Sequence, residues 1–319
     1  MRKALRFVGG VCALPEMFSV VLLAAALSTC ALAVDDFEFS FLISFSPLYT
    51  ELGLLALGMT LVIIAGEIDL SVASMLALVA CLIAWLHVVA GLPYGLCLVL
   101  APVLGGALGG FNGWVVNRFK VPSLVVTLAT LALYRGLAQI LVGDESLSIP
   151  ARYANIDSVE IPGTGVPVPL LIFILAAIAF FLLLHKTVAG RRIFAVGENR
   201  EAALFAGIRT RRVVMSVFVI AGVLAGISAI LINSRLGIAR FDHATGMELD
   251  VITAVLIGGV IIEGGRGTIF GTVIAVAAMM VIKVGMLLES VSEEKQLAVV
   301  GLILIVSVVN SKVMARFKR

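Results

Sequence analysis

The sequence predicts an all-α, polytopic membrane protein with about ten transmembrane helices and both termini cytoplasmic. Three observations carry that fold class. Of the 319 residues, 61% are apolar and only 13% charged, with a mean hydropathy of +1.16; a soluble domain carries about 25% charged residues. Apolar runs recur along the whole chain at lengths near the ~20 residues that one crossing takes. The basic residues then fall overwhelmingly on one side of those runs.

The runs lie near residues 16–34, 48–66, 70–90, 94–115, 122–142, 167–185, 213–233, 249–263, 267–288 and 296–311. The first follows Arg2, Lys3 and Arg6 and ends in Ala31-Leu32-Ala33, a pattern that also fits a signal peptide. Its length from Met17 to Val34 favours a retained helix. The second ends in Gly66 and a polar turn, and the fifth opens on Val121-Pro122-Ser123. The eighth is short for a straight crossing, which suits a re-entrant or protein-enclosed segment. Ten crossings take ~200 residues, so residues 1–319 are expected to form a single membrane-spanning domain with no room for a second, soluble one.

Charge gives the orientation. With the N-terminus inside, the inner segments hold 17 of the 23 basic residues: Arg2, Lys3, Arg6, Arg118, Lys120, Lys186, Arg191, Arg192, Arg200, Arg209, Arg211, Arg212, Arg266, Lys312, Arg316, Lys318 and Arg319. The outer segments hold Arg152, Arg235, Arg240 and Lys295, and are acidic at Asp35-Asp36, Asp144-Glu145 and Glu293-Glu294. Cytoplasmic loops concentrate Lys and Arg, and one missed crossing would scramble every later loop. Arg135 and Lys283 fall within spans; Arg135 is expected to snorkel, and Lys283 suits either a functional role or a helix–helix hydrogen bond.

Several chemistries find no support. A net charge of +3 with no basic–aromatic run gives no reason to expect nucleic acid. Cys12, Cys30, Cys81 and Cys97 form no CxxC, and His87, His185 and His243 are far apart, so neither metal nor cofactor is implied. HExxH, GxSxG and GxxxxGK[ST] strings are missing from the sequence, so no enzymatic role is expected and energy for transport must come from another chain. An ion-coupled carrier, the alternative class, would place carboxylates mid-membrane; Glu16, Glu51, Glu67 and Glu263 lie near span ends instead.

Glycines point to tight helix crossings. Gly105, Gly106, Gly109, Gly110 and Gly113 give overlapping GxxxG pairs, with the same spacing at Gly222 and Gly226 and at Gly267 and Gly271. Two passages suggest an internal duplication of the regions 48–142 and 213–311. Residues 61–70, with Gly66, Glu67 and Asp69, and residues 255–267, with Glu263, Gly264, Gly265 and Gly267, each break an apolar run at the inner face. Placing Glu67 and Asp69 at mid-bilayer would cost about 2.5–3.5 kcal/mol per charge, so a protein-lined or interfacial break is the economical location. Asp69 or Ser71 can cap the following helix; paired breaks in two halves also mark transport pathways.

Residues 186–212 form the long inner loop, with seven basic residues. Asn199 caps a short helix from Arg200, Glu201 sits at its positive end, Ala202, Ala203, Leu204 and Ala206 favour helix, and Gly207 ends it. Two turns are too short to persist alone in water, so the lipid surface or a cytoplasmic protein must hold the helix.

Four motifs occur together and in order. They are the Gly66–Ser71 turn, the Val121-Pro122-Ser123-Leu124 to Leu128 entry, the Gly197-Glu198-Asn199 to Ile208 loop, and Gly258-Gly259 followed by Glu263-Gly264-Gly265-Arg266-Gly267-Thr268. Over about residues 45–310 the chain resembles the ribose-type permease family of bacterial ABC importers. That resemblance implies an inner-membrane sugar permease working with separate ABC ATPase subunits, a periplasmic sugar-binding protein and a second permease copy or sister permease. It implies that Glu198, Asn199, Glu201, Ala202, Ala203 and Gly207 belong to the ATPase-coupling loop. The chain departs from the family at Glu67 and Ala73, where Gly is usual. Tyr134-Arg135-Gly136 and Thr245 to Asp250 are most similar to the rhamnose branch, with autoinducer-2 permeases close behind. The residues lining the substrate path stay unassigned. The outer loops 143–166 and 234–248 are the expected dock for the binding protein.

Overall fold

The computed structural model describes residues 16–34 and 37–317, apart from the side chains of residues 33, 39, 157 and 310–317. Arg2, Lys3, Arg6, Cys12, Asp35, Asp36, Lys318 and Arg319, and the side chains of Asp157, Lys312 and Arg316, lie outside the described residues.

The described chain is almost wholly helical. It runs α1 (Met17–Ala33), α2 (Phe39–Phe45), α3 (Pro47–Ile64), α4 (Val72–Val88), α5 (Tyr94–Phe119) and α6 (Ser123–Val142). There follow α7 (Val168–Lys186), α8 (Val188–Glu198), α9 (Arg200–Phe205) and α10 (Thr210–Leu236). The last three are α11 (Met247–Ile257), α12 (Ile269–Leu288) and α13 (Glu293–Phe317). A helix occupies each of the ten predicted intervals. Among the described residues, six helices (α3, α5, α6, α7, α10 and α12) are long and apolar enough to cross a membrane. Two shorter apolar stretches, Met17–Leu32 and Val72–Val88, fall just below that length.

Proline and glycine punctuate the bundle. Pro47 opens α3, while Pro93, Pro122 and Pro167 immediately precede α5, α6 and α7, where a fixed φ and a missing N–H cost nothing. Gly143 and Gly237, both at positive φ, close α6 and α10.

Helix α3 is the axis of the packing: it is buried along nearly its whole length against α10, α11, α12 and α7. Helix α7 turns most of its side chains outward, as a lipid-facing helix would. The most extensive helix contact joins α5 to α10, and it is the predicted glycine seam. A Cβ at Gly109 would run into the Phe218 carbonyl, one at Gly105 into that of Gly222, and one at Gly222 into that of Gly105. Gly271 likewise meets the Gly258 carbonyl, but Gly267 lies in a turn at φ +146° ahead of α12. The Gly267/Gly271 pair is therefore a turn and a helix start, not one helical seam.

Four expectations need correcting. Residues 188–198 are not loop: α8 is amphipathic, burying Gly190, Ile193 and Val196 and exposing Arg191 and Arg192. Helix α11 stops at Ile257 rather than near 263, at about 16 Å only half a crossing. Arg235 lies inside α10, not in an outer loop, and its Nε reaches Oε1 of buried Glu51 at 3.1 Å. Arg135 does not snorkel; its guanidinium donates to the carbonyls of Phe241 and His243, the latter at 2.8 Å. Lys283 forms an inter-helix ion pair with Asp250 at 2.5 Å, the helix–helix reading of that residue. Cys30, Cys81 and Cys97 are buried free thiols.

The two expected outer loops are joined. Strands β1 (Leu147–Ser148) and β2 (Ile238–Ala239) pair antiparallel, and the Asn155 and Ile156 N–H groups donate to the carbonyl and hydroxyl of Ser234. Loops 143–166 and 234–248 thus form one platform.

Candidate functional site

The helix breaks converge with the long inner loop at one junction. At the first break, α3 ends on Gly66 at φ +79°, and the chain turns through residues 65–71 into α4. Asp69 is fully buried; its Oδ1 accepts from the Ser71 N–H at 2.9 Å and the Ser71 hydroxyl at 2.6 Å. Asn112 Nδ2 donates to Ser71 Oγ at 2.8 Å, and the Tyr134 hydroxyl donates to Asn112 Oδ1 at 3.0 Å. The capping expectation needs correcting: Ser71 stands at the N-cap of α4, but its side chain accepts from no N–H of the helix. Asp69 binds Ser71 rather than the helix's own first donors, so the network instead anchors the turn to α5 and α6. The start of α6 completes the job: Ser123 Oγ accepts from the Ile68 N–H at 3.0 Å, and the Thr127 hydroxyl donates to the Ile68 carbonyl at 3.2 Å. A buried turn must satisfy its backbone groups in this way.

At the second break, residues 258–268 carry four glycines at positive φ: Gly259, Gly264, Gly265 and Gly267. Their polypeptide lies directly on the first break. The Gly265 N–H donates to the Ile64 carbonyl at 2.8 Å, and a Cβ on Gly264 would stand 2.8 Å from the Gly66 Cα. Thr268 caps α12 by accepting from the Gly271 N–H at 3.0 Å and donates to Glu16 at 2.8 Å.

The α8–α9 elbow closes the junction. A Cβ at Gly197 would overlap the Ile64 carbonyl and lie 2.6 Å from the Gly265 nitrogen. Three chain segments thus touch through bare backbone, which only glycine permits. Charge pairs flank the contact on both sides. Arg200 Nη1 meets Glu67 Oε1 at 2.9 Å, and Arg266 lies 3.6 Å from Glu198. Glu67, expected to make the first turn bulkier than the family's usual Gly, has an ordinary φ and is only 7% exposed. Burial pushes its carboxyl above the usual range, opposed by the Ser123 hydroxyl and the Arg200 guanidinium.

Helix α9 follows the expected plan. Asn199 Oδ1 accepts from the Ala202 N–H at 2.9 Å, Glu201 sits in the first turn, and Gly207 at φ +81° ends the helix. Ala203 faces inward at 4% exposed, while Ala202, Leu204 and Phe205 face outward, Phe205 at 91%. Beside it lies an open cavity of about 490 Å³ lined by Arg192, Arg209, Arg212 and residues 206–208. The structure therefore brings Glu198, Gly66, Gly264 and Gly265 to one junction, with Asn199 shaping its outward arm; Asp69 and Ser71 lie behind it, and Gly267 shapes the turn. Sequence reasoning missed Gly197, Arg200 and Arg266 as members. For Arg200 the signal was the charge of Glu67 in an otherwise apolar setting, which required an opposite charge from elsewhere; Gly197 and Arg266 carried no such signal.

The family model described as "Branched-chain amino acid transport system / permease component" matches residues 40–308. The chain is 37% identical over 257 residues to the ribose import permease protein RbsC of Bacillus subtilis (strain 168), covering 80% of each chain. It is 34% identical over 269 residues to the autoinducer 2 import system permease protein LsrD of Escherichia coli (strain K12), covering 82% of this chain and 81% of that one. The LsrD protein of Shigella flexneri is similar to the same degree. No solved structure matches the chain.

Proposed function

The chain belongs to the branched-chain amino acid transport system / permease component family, as a ribose-type ABC sugar permease of the inner membrane, and from that premise we propose the following mechanism. The protein takes a monosaccharide from a periplasmic binding protein at the platform of loops 143–166 and 234–248. It passes the sugar inward when ATPase subunits press on α9. All ten helical intervals act as spans or half-spans with both termini cytoplasmic, and residues 1–319 act as one permease domain built from related halves, 48–142 and 213–311. Two copies, or one copy and a sister permease, enclose the path.

The observation that carries this reading is α9 itself. It is a capped two-turn helix displaying Leu204 and Phe205 to the outside, and no packing within the described chain covers them. An ATPase surface with an apolar cleft would cover that pair, and acidic side chains would suit the arginine-lined cavity beside it. The mounting supports the role: α9 is joined through Gly197 and Arg200 to both helix breaks, so a push on it reaches α3, α4, α11 and α12. Hydrolysis is assigned to the ATPase subunits.

Among sugars, a rhamnose-like monosaccharide is the first choice on the resemblance of residues 134–136 and 245–250, with ribose, xylose and autoinducer-2 as alternatives. The test is reconstitution of the chain with its ATPase and binding protein, followed by uptake of labelled rhamnose, ribose, xylose and autoinducer-2. ATP-dependent uptake of one of them is expected. Solute movement with no ATPase present would overturn the reading in favour of an ion-coupled carrier.

A further inference from the structure

The Arg200–Glu67 pair is unlike the other charge contact at the junction. Glu198 and Arg266 stand 3.6 Å apart with both side chains more than half exposed, a geometry that contributes little in water. Arg200 instead makes a 2.9 Å hydrogen bond to a carboxylate that is 8% exposed, and its other nitrogen, Nη2, reaches Asn117 Oδ1 on α5 at 3.3 Å. Asn117 in turn donates to the Arg211 carbonyl at 2.9 Å, at the start of α10. One guanidinium thus joins the first residue of α9 to the first helix break and, through Asn117, to the seam of α5 and α10. Glu67 pays for burial next to an apolar interior, yet its backbone conformation suits any residue, so the turn itself does not require an acid there.

We propose that Arg200 and Glu67 are a positioning pair that makes the α8–α9 elbow and the first helix break move as one body, so that displacement of α9 becomes displacement of α3 and α4. The inference rests on reading α9 as the ATPase contact. Gly197 supplies contact without grip, since its backbone lies where a Cβ would overlap the Ile64 carbonyl but that carbonyl's hydrogen bond comes from the Gly265 N–H. The ion pair supplies the grip: it resists separation and rotation, because the planar guanidinium is held at two points. Glu198 and Arg266 steady the second break only weakly.

The experiment compares Glu67→Gln, Arg200→Gln, Arg200→Lys and the exchange Glu67→Arg with Arg200→Glu, each assembled with ATPase and binding protein. Sugar taken up per ATP hydrolysed is measured beside assembly and basal ATPase activity. Glu67→Gln removes a buried charge, so it is expected to assemble normally. Its transport per ATP should fall by roughly tenfold, in the range of coupling free energies between sites. Arg200→Gln should match it, Arg200→Lys should lose less, and the exchange should recover part of the ratio. Wild-type coupling in Glu67→Gln overturns the proposal, whatever Arg200→Gln does. Failure of the wild-type complex to couple uptake to ATP would instead overturn the proposed function.

Discussion

Gly197 lies so close to the Ile64 carbonyl that any side chain there would overlap it. The end of α3 and the elbow before α9 are therefore in direct backbone contact, and the Gly265 N–H completes the same carbonyl's hydrogen bonding at 2.8 Å. A methyl group would have to push apart two backbone segments, neither of which can rotate away as a side chain can. Gly197→Ala should destabilise the detergent-solubilised protein by about 1–3 kcal/mol and reduce uptake per ATP. A thermal melt and a coupled uptake assay read the two effects; an unchanged melt would contradict the contact.

Gly207 makes the opposite case. Nothing lies within 4 Å of a Cβ built there, yet φ is +81°. The constraint is conformational, about 1–2 kcal/mol for an L-residue other than Asn or Asp. Gly207→Ala and Gly207→Pro should loosen the end of α9 and lower uptake per ATP while leaving membrane insertion intact. Gly207→Asn should be the mildest of the three. Unchanged transport in the proline variant would remove α9 from the coupling path.

The α5–α10 seam predicts a graded series. Gly109→Ala and Gly222→Ala drive a methyl into facing carbonyls, and each should cost about 1–3 kcal/mol or more. Gly110 approaches only Val219 at 3.4 Å, and Gly136 meets nothing within 4 Å. Alanine at those two should be tolerated, and at Gly136 slightly stabilising through helix propensity. Unfolding midpoints of the four variants check the order.

Acid should affect coupling and stability in opposite directions through Glu67. Its carboxyl is held above the usual range by burial, with Ser123 and Arg200 opposing the shift. As the pH on the cytoplasmic side falls through that raised value, the carboxyl gains a proton and the Arg200 pair is lost, so uptake per ATP declines. Because the folded state then binds the proton more readily than the unfolded state, Glu67's own contribution to stability rises as the pH falls. Arg200→Gln removes a lowering influence, so the stability profile should shift to higher pH, while uptake per ATP, already low without the pair, should lose its Glu67-dependent decline. Glu67→Gln should abolish the Glu67-dependent part of both profiles.

Lys283 and Asp250 join α12 to α11 by an ion pair with side chains about one-fifth exposed. Lys283→Met alone strands the carboxylate and should cost about 3 kcal/mol. Lys283→Met with Asp250→Asn should recover most of that, because the uncompensated charge is gone. Melting temperatures of the single and double variants measure the difference.

Much of this architecture is local and so can be read along the chain. The starts of α5, α6 and α7 follow prolines, α9 begins and ends where Asn199 and Gly207 stand, and the GxxxG spacing of α5 meets that of α10. Helix α8 escaped notice because Gly190 and Gly197 interrupt it and Arg191 and Arg192 make it look solvated. Only its buried partners, Ile193 and Val196, give it a reason to be helical. The eighth interval looked longer than α11 because apolarity continues past Ile257, and backbone turns at Gly258 and Gly259 leave no trace in hydropathy.

Composition, the spacing of apolar runs and the placement of Lys and Arg determined by themselves that this is a helical membrane protein and roughly where its ten apolar helices lie, and Asn199 and Gly207 marked the short capped helix. Those properties depend on each segment's own partition between lipid and water and on bonds a few residues long. Tertiary structure alone decided that the two helix breaks and Gly197 share one junction, and that Glu67 pairs with Arg200 across 133 positions of chain. Lys283 found Asp250 in the same way. A buried charge announces in the sequence that it needs a partner; which partner it meets depends on how the helices pack.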